Sequence, residues 1–143
     1  MTAPRGVRNN NPGNLDRNPN VIWQGEDRSE GALAREKRFC VFLTPEYGFR
    51  ALVRTLVTYQ DKHKLRTVDQ MIRRWAPPSE NDTTAYVRQV ASALGVAPDR
   101  PLDIHAPETA FQFAKAIARH ENGGNFWGDQ VIRDGVELAG VRA

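Results

Sequence analysis

From Thr44 onward the chain carries a hydrophobic stripe that only a helix presents on one side. Phe49, Leu52, Val53, Leu56 and Val57 recur at i, i+3, i+4, i+7 and i+8. Thr44 is a good N-cap and Pro45 suits the first helical position, so the pattern predicts a helix running to about Lys62. A stripe of this width has to be covered by other elements, and the rest of the chain supplies them in helical form. A second helix is expected from Thr67, where Gln70 completes a capping box and Val68, Met71, Ile72 and Trp75 form the apolar face; Pro77 and Pro78 end it. A third should run from Thr83 to Leu94 and stop at Gly95. After a Pro-rich connection (96–107) a fourth is expected over about 107–122, with Pro107 near its first position. A fifth covers roughly 127–139, weakened by Gly135.

Residues 1–38 read differently. Asn, Gly and Pro dominate "NNNPGNLDRNPN", and these residues favour turns and side-chain-to-backbone hydrogen bonds over regular structure. The short β-favouring runs "VIW" (21–23) and "FCVFL" (39–43) suggest a small β-hairpin or wing. The expected fold class is therefore mainly α (α+β): one domain over residues 1–143, with about five helices and a small β wing.

Composition removes several classes of function. No run approaches the 18 or so apolar residues of a membrane helix, so membrane insertion is not expected. The opening "MTAPRGVRNNNPGN" lacks the apolar segment of a signal peptide, so no export signal is expected. The single cysteine, Cys40, sits among apolar neighbours in "RFCVFL" and reads as a buried strand residue, not a nucleophile. His63, His105 and His120 are far apart in sequence, so neither a metal site nor a cofactor is expected. The net charge of +3 suits an acidic polymer, either nucleic acid or bacterial cell wall. Lys and Arg do not cluster with stacking aromatics, which argues against nucleic acid.

What remains is acids, aromatics and amides, the residue types of sugar chemistry. An acid that keeps its proton gives it to the glycosidic oxygen, amides bind hydroxyl and N-acetyl groups, and aromatic faces pack on sugar rings. Glu121, in "AIARHENGGNFW", is the leading candidate for the acid. It lies in the last turn of the fourth helix, on or near its apolar side, where desolvation and the helix dipole both disfavour a charged carboxylate. The plain alternative is a solvated helix-end Glu beside a Gly C-cap. Glu46 lies in the first turn of its helix, where a carboxylate is favoured and a base or a structural role fits. Glu80 and Asp82 lie in the loop "PPSENDT", and Asp82 doubles as a cap of the third helix. Tyr86 projects near that loop, and Trp23 and Trp75 line a groove or fill a core.

The stretches "RNNNPGNL", Trp23 with Gly25, "F.VF" (39–42), "PEYGFRAL", "WAPPSENDTTAYV" and "ARHENGG" together resemble a group of small phage and prophage proteins described as virion structural or lysozyme-like. The resemblance spans nearly the whole chain. More distantly, the features are similar to the glucosaminidase and lytic transglycosylase branch of the lysozyme superfamily. There a helix ending in a catalytic Glu precedes the Asn-rich segment. Here only about eight residues precede "NNNPGN", and the matching helix, "FAKAIARHENGG", lies at the far end. The resemblance thus implies a lysozyme-like fold in circularly permuted order, with Glu121 as the acid. It implies peptidoglycan as substrate, with Glu46, Glu80 or Asp82 as second group and Asn10, Asn11, Asn14, Trp23, Trp75, Asn81 and Tyr86 holding the glycan. It also implies a phage virion or host-cytoplasm location with action at the cell wall, and other virion proteins as partners. The alternative is a non-catalytic virion or wall-binding module of the same shape.

Overall fold

A computed structural model describes residues 2–79 and 81–142. Seven helices are present among these residues: α1 (Arg5–Arg8), α2 (Glu30–Arg35), α3 (Pro45–Asp61), α4 (Val68–Trp75), α5 (Thr83–Leu94), α6 (Pro107–Asn122) and α7 (Asp129–Leu138). The mainly helical expectation holds, and the five longer helices lie close to their expected ranges. Thr44, Thr67 and Asp82 cap α3, α4 and α5 by accepting from the backbone N–H groups of Tyr47, Gln70 and Ala85. Gln70 reaches back to the N–H of Arg66, one residue beyond the expected capping box. Gly95 and Gly123 end α5 and α6 in the left-handed conformation.

Two helices and the wing depart from expectation. α1 and α2 fall in a region read as loop; each is a turn or two long, too short to show a period. The cue for α2 was Ser29, whose hydroxyl accepts from the N–H of Ala32. The 21–23 and 39–43 runs do not pair as a hairpin. Among the described residues there is no strand, only isolated antiparallel bridges: Asp16 with Phe39, Asn18 with Val21 and Glu26 with Phe42. The physical reason is that side chains satisfy the backbone here. Asn11, fully buried, donates to the carbonyls of Leu15 and Cys40 and accepts from the Leu15 N–H. Cys40 is buried as expected, though in an extended segment and not a strand, and burial pushes its thiol up to about 12. It stays protonated and inert.

α3 is the centre of the molecule. Its expected stripe (Phe49, Leu52, Val53, Leu56, Val57) enters the main core with residues of α4, α5, α6 and α7. On another side, Ala51 joins Cys40 and Phe42 in a second cluster, with Leu15, Trp23 and Tyr47 packed on it. The helix therefore divides a helical bundle from an irregular N-terminal lobe. Small residues allow both approaches. Gly135 is where α7 crosses α3; a Cβ there would run into Phe49 and lie 3.0 Å from the Glu46 carbonyl oxygen. The glycine that weakened the fifth helix as a sequence signal is thus its contact point.

Gly48 plays the same part toward the N-terminal lobe. A Cβ on Gly48 would run into the carbonyl oxygen of Asn10 and lie 2.7 Å from Cδ of Pro12. Gly48→Ala gains roughly 0.5–1 kcal/mol of helix propensity, but the clash is with backbone and must move it. A net loss of about 1–2 kcal/mol is expected, read as a lower urea midpoint with an unchanged slope.

Candidate functional site

The last turn of α6 is bound directly to the Asn-rich segment. The buried Asn122 donates its amide to the carbonyls of Pro12 (3.0 Å) and Ala118 (2.9 Å), which locks the helix end against residues 110 positions away. That anchor sets the direction of its neighbour Glu121. One carboxylate oxygen of Glu121 accepts from Nδ2 of Asn14 at 3.1 Å and the other from the phenol of Tyr86 at 2.8 Å. Asn14 adopts a positive φ of 51°, a conformation Asn tolerates better than most residues.

Tyr86 is fully buried at the start of α5, and its ring stacks on His120 with centroids 3.6 Å apart. Burial, together with the neighbouring Glu121 charge and hydrogen bond, raises the phenol well above its ordinary value, so it remains a proton-bearing donor. Burial lowers His120, whose ring is therefore held toward its neutral form despite the adjacent Glu121. Tyr86→Phe removes one of two donors to the carboxylate and is expected to cost about 1–2 kcal/mol, measured by urea denaturation.

The half-buried Glu121 opens into a cleft of about 760 Å³. Asn14, Leu15, Asp16, Arg38 and Phe39 of the N-terminal lobe form one wall. Tyr59 of α3, Trp75 of α4 and the loop carrying Ser79 and Asn81 form the other. Trp75 seats its ring edge against Gly13, joining the two walls at the floor. Asp16 is bridged to Arg38 at 2.8 Å, and both side chains are more than half exposed. No group of three or more potential metal ligands occurs among the described residues. Two carboxylates, one of them paired with Arg38, two amides and three aromatic rings thus face a single open hollow. Such a lining suits an uncharged, hydroxyl-rich chain.

No family model matches the chain. It is 36% identical over 137 residues to Protein P5 of Pseudoalteromonas phage PM2, an alignment covering 94% of this chain and 81% of that protein. The chain belongs to the Protein P5 family. That places it among bacteriophage proteins, in keeping with the phage part of the resemblance. No helix among the described residues of this family member is long and apolar enough to cross a membrane.

The fold separates the candidate residues. Glu121, Asn14, Trp75, Asn81 and Tyr86 come together at the cleft. Asn10 and Asn11 do not join them: Asn10 donates to the Phe42 carbonyl at 3.1 Å, and Asn11 serves the Leu15 and Cys40 backbone. Trp23 packs on the second apolar cluster and lines no part of the cleft. Glu46 sits in the first turn of α3, facing α7 through its carbonyl, and is not in the cleft wall. Asp82 is exposed and spends its carboxylate on the Ala85 N–H. Glu80 lies outside the described residues. Tyr59, Asp16, Arg38 and Ser79 also line the cleft, although none is a candidate from its place in the sequence. Tyr59 follows Leu56 by three positions on the α3 stripe and so reads as core.

Proposed function

We propose that this chain is a phage-associated peptidoglycan glycosidase, a muramidase or lytic transglycosylase, with Glu121 as its principal acid. The observation that carries this reading is the Glu121 carboxylate, held by Asn14 and Tyr86 at the opening of an aromatic- and amide-lined cleft. Glu121 would give its proton to the glycosidic oxygen as the bond to the anomeric carbon breaks. Trp75, Tyr59 and Phe39 would pack on sugar rings, and the amides of Asn14 and Asn81 would bind hydroxyl or N-acetyl oxygens. Among the described cleft residues the other carboxylate is Asp16, already engaged by Arg38. The substrate's own N-acetyl oxygen is therefore the favoured partner of the developing cation, and water or the sugar 6-hydroxyl completes the reaction. The joining of the Asn-rich segment to the end of α6 supports a lysozyme-like arrangement in permuted order. The protein would act at the host wall, carried there with other virion proteins.

The test is clearing of purified peptidoglycan by the wild type and by Glu121→Gln, with mass analysis separating 1,6-anhydro from reducing products. Clearing by both proteins would remove Glu121 from the mechanism. A second reading, a non-catalytic wall-binding or virion module, draws on the fact that both oxygens of Glu121 are already hydrogen-bonded. Co-sedimentation with peptidoglycan without clearing would favour it.

A further inference from the structure

The same turn of α6 has a second hollow on its other flank. A groove of about 790 Å³ runs between α5 and α6, lined by Arg88, Gln89 and Ser92 on one side and Arg119, His120 and Gly123 on the other. Its charge is one-sided, for among the described residues no carboxylate is in its lining. Arg88 and Arg119 are exposed, and among the described residues neither guanidinium group has an ion pair or hydrogen bond. Other arginines are engaged: Arg5 with Glu36, Arg28 with Glu26, Arg73 with Asp69 and Arg133 with Glu108. Two unengaged guanidinium groups flanking one groove make a site for an anion, since each presents a fork of N–H donors that matches a carboxylate.

The groove is also coupled to the cleft. His120 lines it while the next residue, Glu121, lines the cleft. Between them stands the Tyr86 ring, stacked on His120 and hydrogen-bonded through its phenol to Glu121. The partition is one aromatic side chain thick.

We infer that the α5–α6 groove binds the carboxylate-bearing peptide stem of the glycan strand whose sugars occupy the cleft. This rests on the glycosidase reading of Glu121. Stem peptides branch from alternate sugars and carry several free carboxylates. Three extended residues reach about 10 Å, comparable to the diameter of a helix, and the last turn of α6 lines both the cleft and the groove. A nucleic acid is a poorer occupant, because among the described lining residues the one aromatic ring, His120, is already stacked on Tyr86 and the apolar lining is Ala93 and Ala116.

The experiment titrates isotope-labelled wild type and an Arg88→Gln/Arg119→Gln double variant with the tripeptide L-Ala–γ-D-Glu–meso-diaminopimelate, following backbone amide shifts. Inorganic phosphate and a single-stranded DNA oligomer serve as comparison ligands. Saturable shifts confined to the facing turns of α5 and α6 are expected in the wild type. The double variant, with an otherwise unchanged spectrum, should bind at least about fivefold more weakly, as loss of two charge-assisted pairs requires. No saturable shift, equal binding by both proteins, or tighter binding of DNA or phosphate overturns the inference. Peptide binding does not depend on turnover, so the two readings fail separately. Tripeptide bound without wall clearing upholds the groove and removes the glycosidase. Clearing without tripeptide binding does the reverse.

Discussion

Glu121→Gln is expected to lower the rate of peptidoglycan clearing by roughly 10²–10⁴-fold, the range attached to a positioned proton donor. Gln has nearly the same shape and keeps an oxygen to accept from Asn14, but it has no proton to give. The fold should tolerate it. The amide nitrogen faces the Tyr86 phenol, whose oxygen also accepts hydrogen bonds, so the stability change should stay within about 1 kcal/mol. The pair of readings matters. A large loss of rate with an unchanged urea midpoint assigns the chemistry to Glu121, whereas parallel losses would describe a structural acid.

Glu36→Gln is expected to produce the largest loss of stability. Glu36 is only 4% exposed, and its carboxylate gathers five donors. Arg5 reaches both oxygens at 2.7 and 2.6 Å, Asn9 donates at 3.0 Å, and the N–H groups of Arg38 and Phe39 donate at 2.8 and 2.9 Å. These bonds tie α1, the end of α2 and the start of the 39–43 segment to one point. An amide would place N–H donors against donors already there and leave Arg5 without its counter-charge. Removing one partner of a fully buried pair costs 3–5 kcal/mol; Arg5 is nearly half exposed, so about 2–4 kcal/mol is expected here.

The same residue sets a pH dependence. The Arg5 guanidinium is the main cause holding Glu36 far below the ordinary carboxyl value of 4.5, helped by the Phe39, Asn9 and Arg38 donors. A carboxyl lowered on folding contributes its full stability above the unfolded value and loses it as the pH falls toward the folded one. Wild-type stability should therefore decline steadily below about pH 4.5, and Glu36→Gln should decline less steeply. Some slope should persist in the variant, because Asp27, Asp103 and Glu108 are also lowered by their hydrogen bonds. Urea denaturation of both proteins between pH 7 and pH 3 measures the difference.

The five longer helices were legible because their causes are local. A stripe at helical spacing, a Thr or Asp at the N-cap and a Gly after the last turn act within a few residues of one another. Glu121 stood out in the sequence for a similar reason, since an acid at the end of an apolar helix is out of place on local grounds. The N-terminal lobe was not legible. Its Asn, Gly and Pro announce that the chain turns, yet Asn10, Asn11 and Asn14 look alike in sequence and do different work. Asn10 and Asn11 hold backbone carbonyls 29 to 33 positions away, while Asn14 holds a carboxylate 107 positions away. The same holds for the aromatics: Trp23 was drawn into an apolar cluster and Tyr59 turned out to face the cleft. By itself, then, the sequence determined where the five longer helices lie and singled out an acid at the end of one of them. Only the tertiary structure decided which amides and rings stand beside that acid, because a side chain in a turn-rich segment takes its partner from whatever distant backbone the packing of α3 and α6 brings against it.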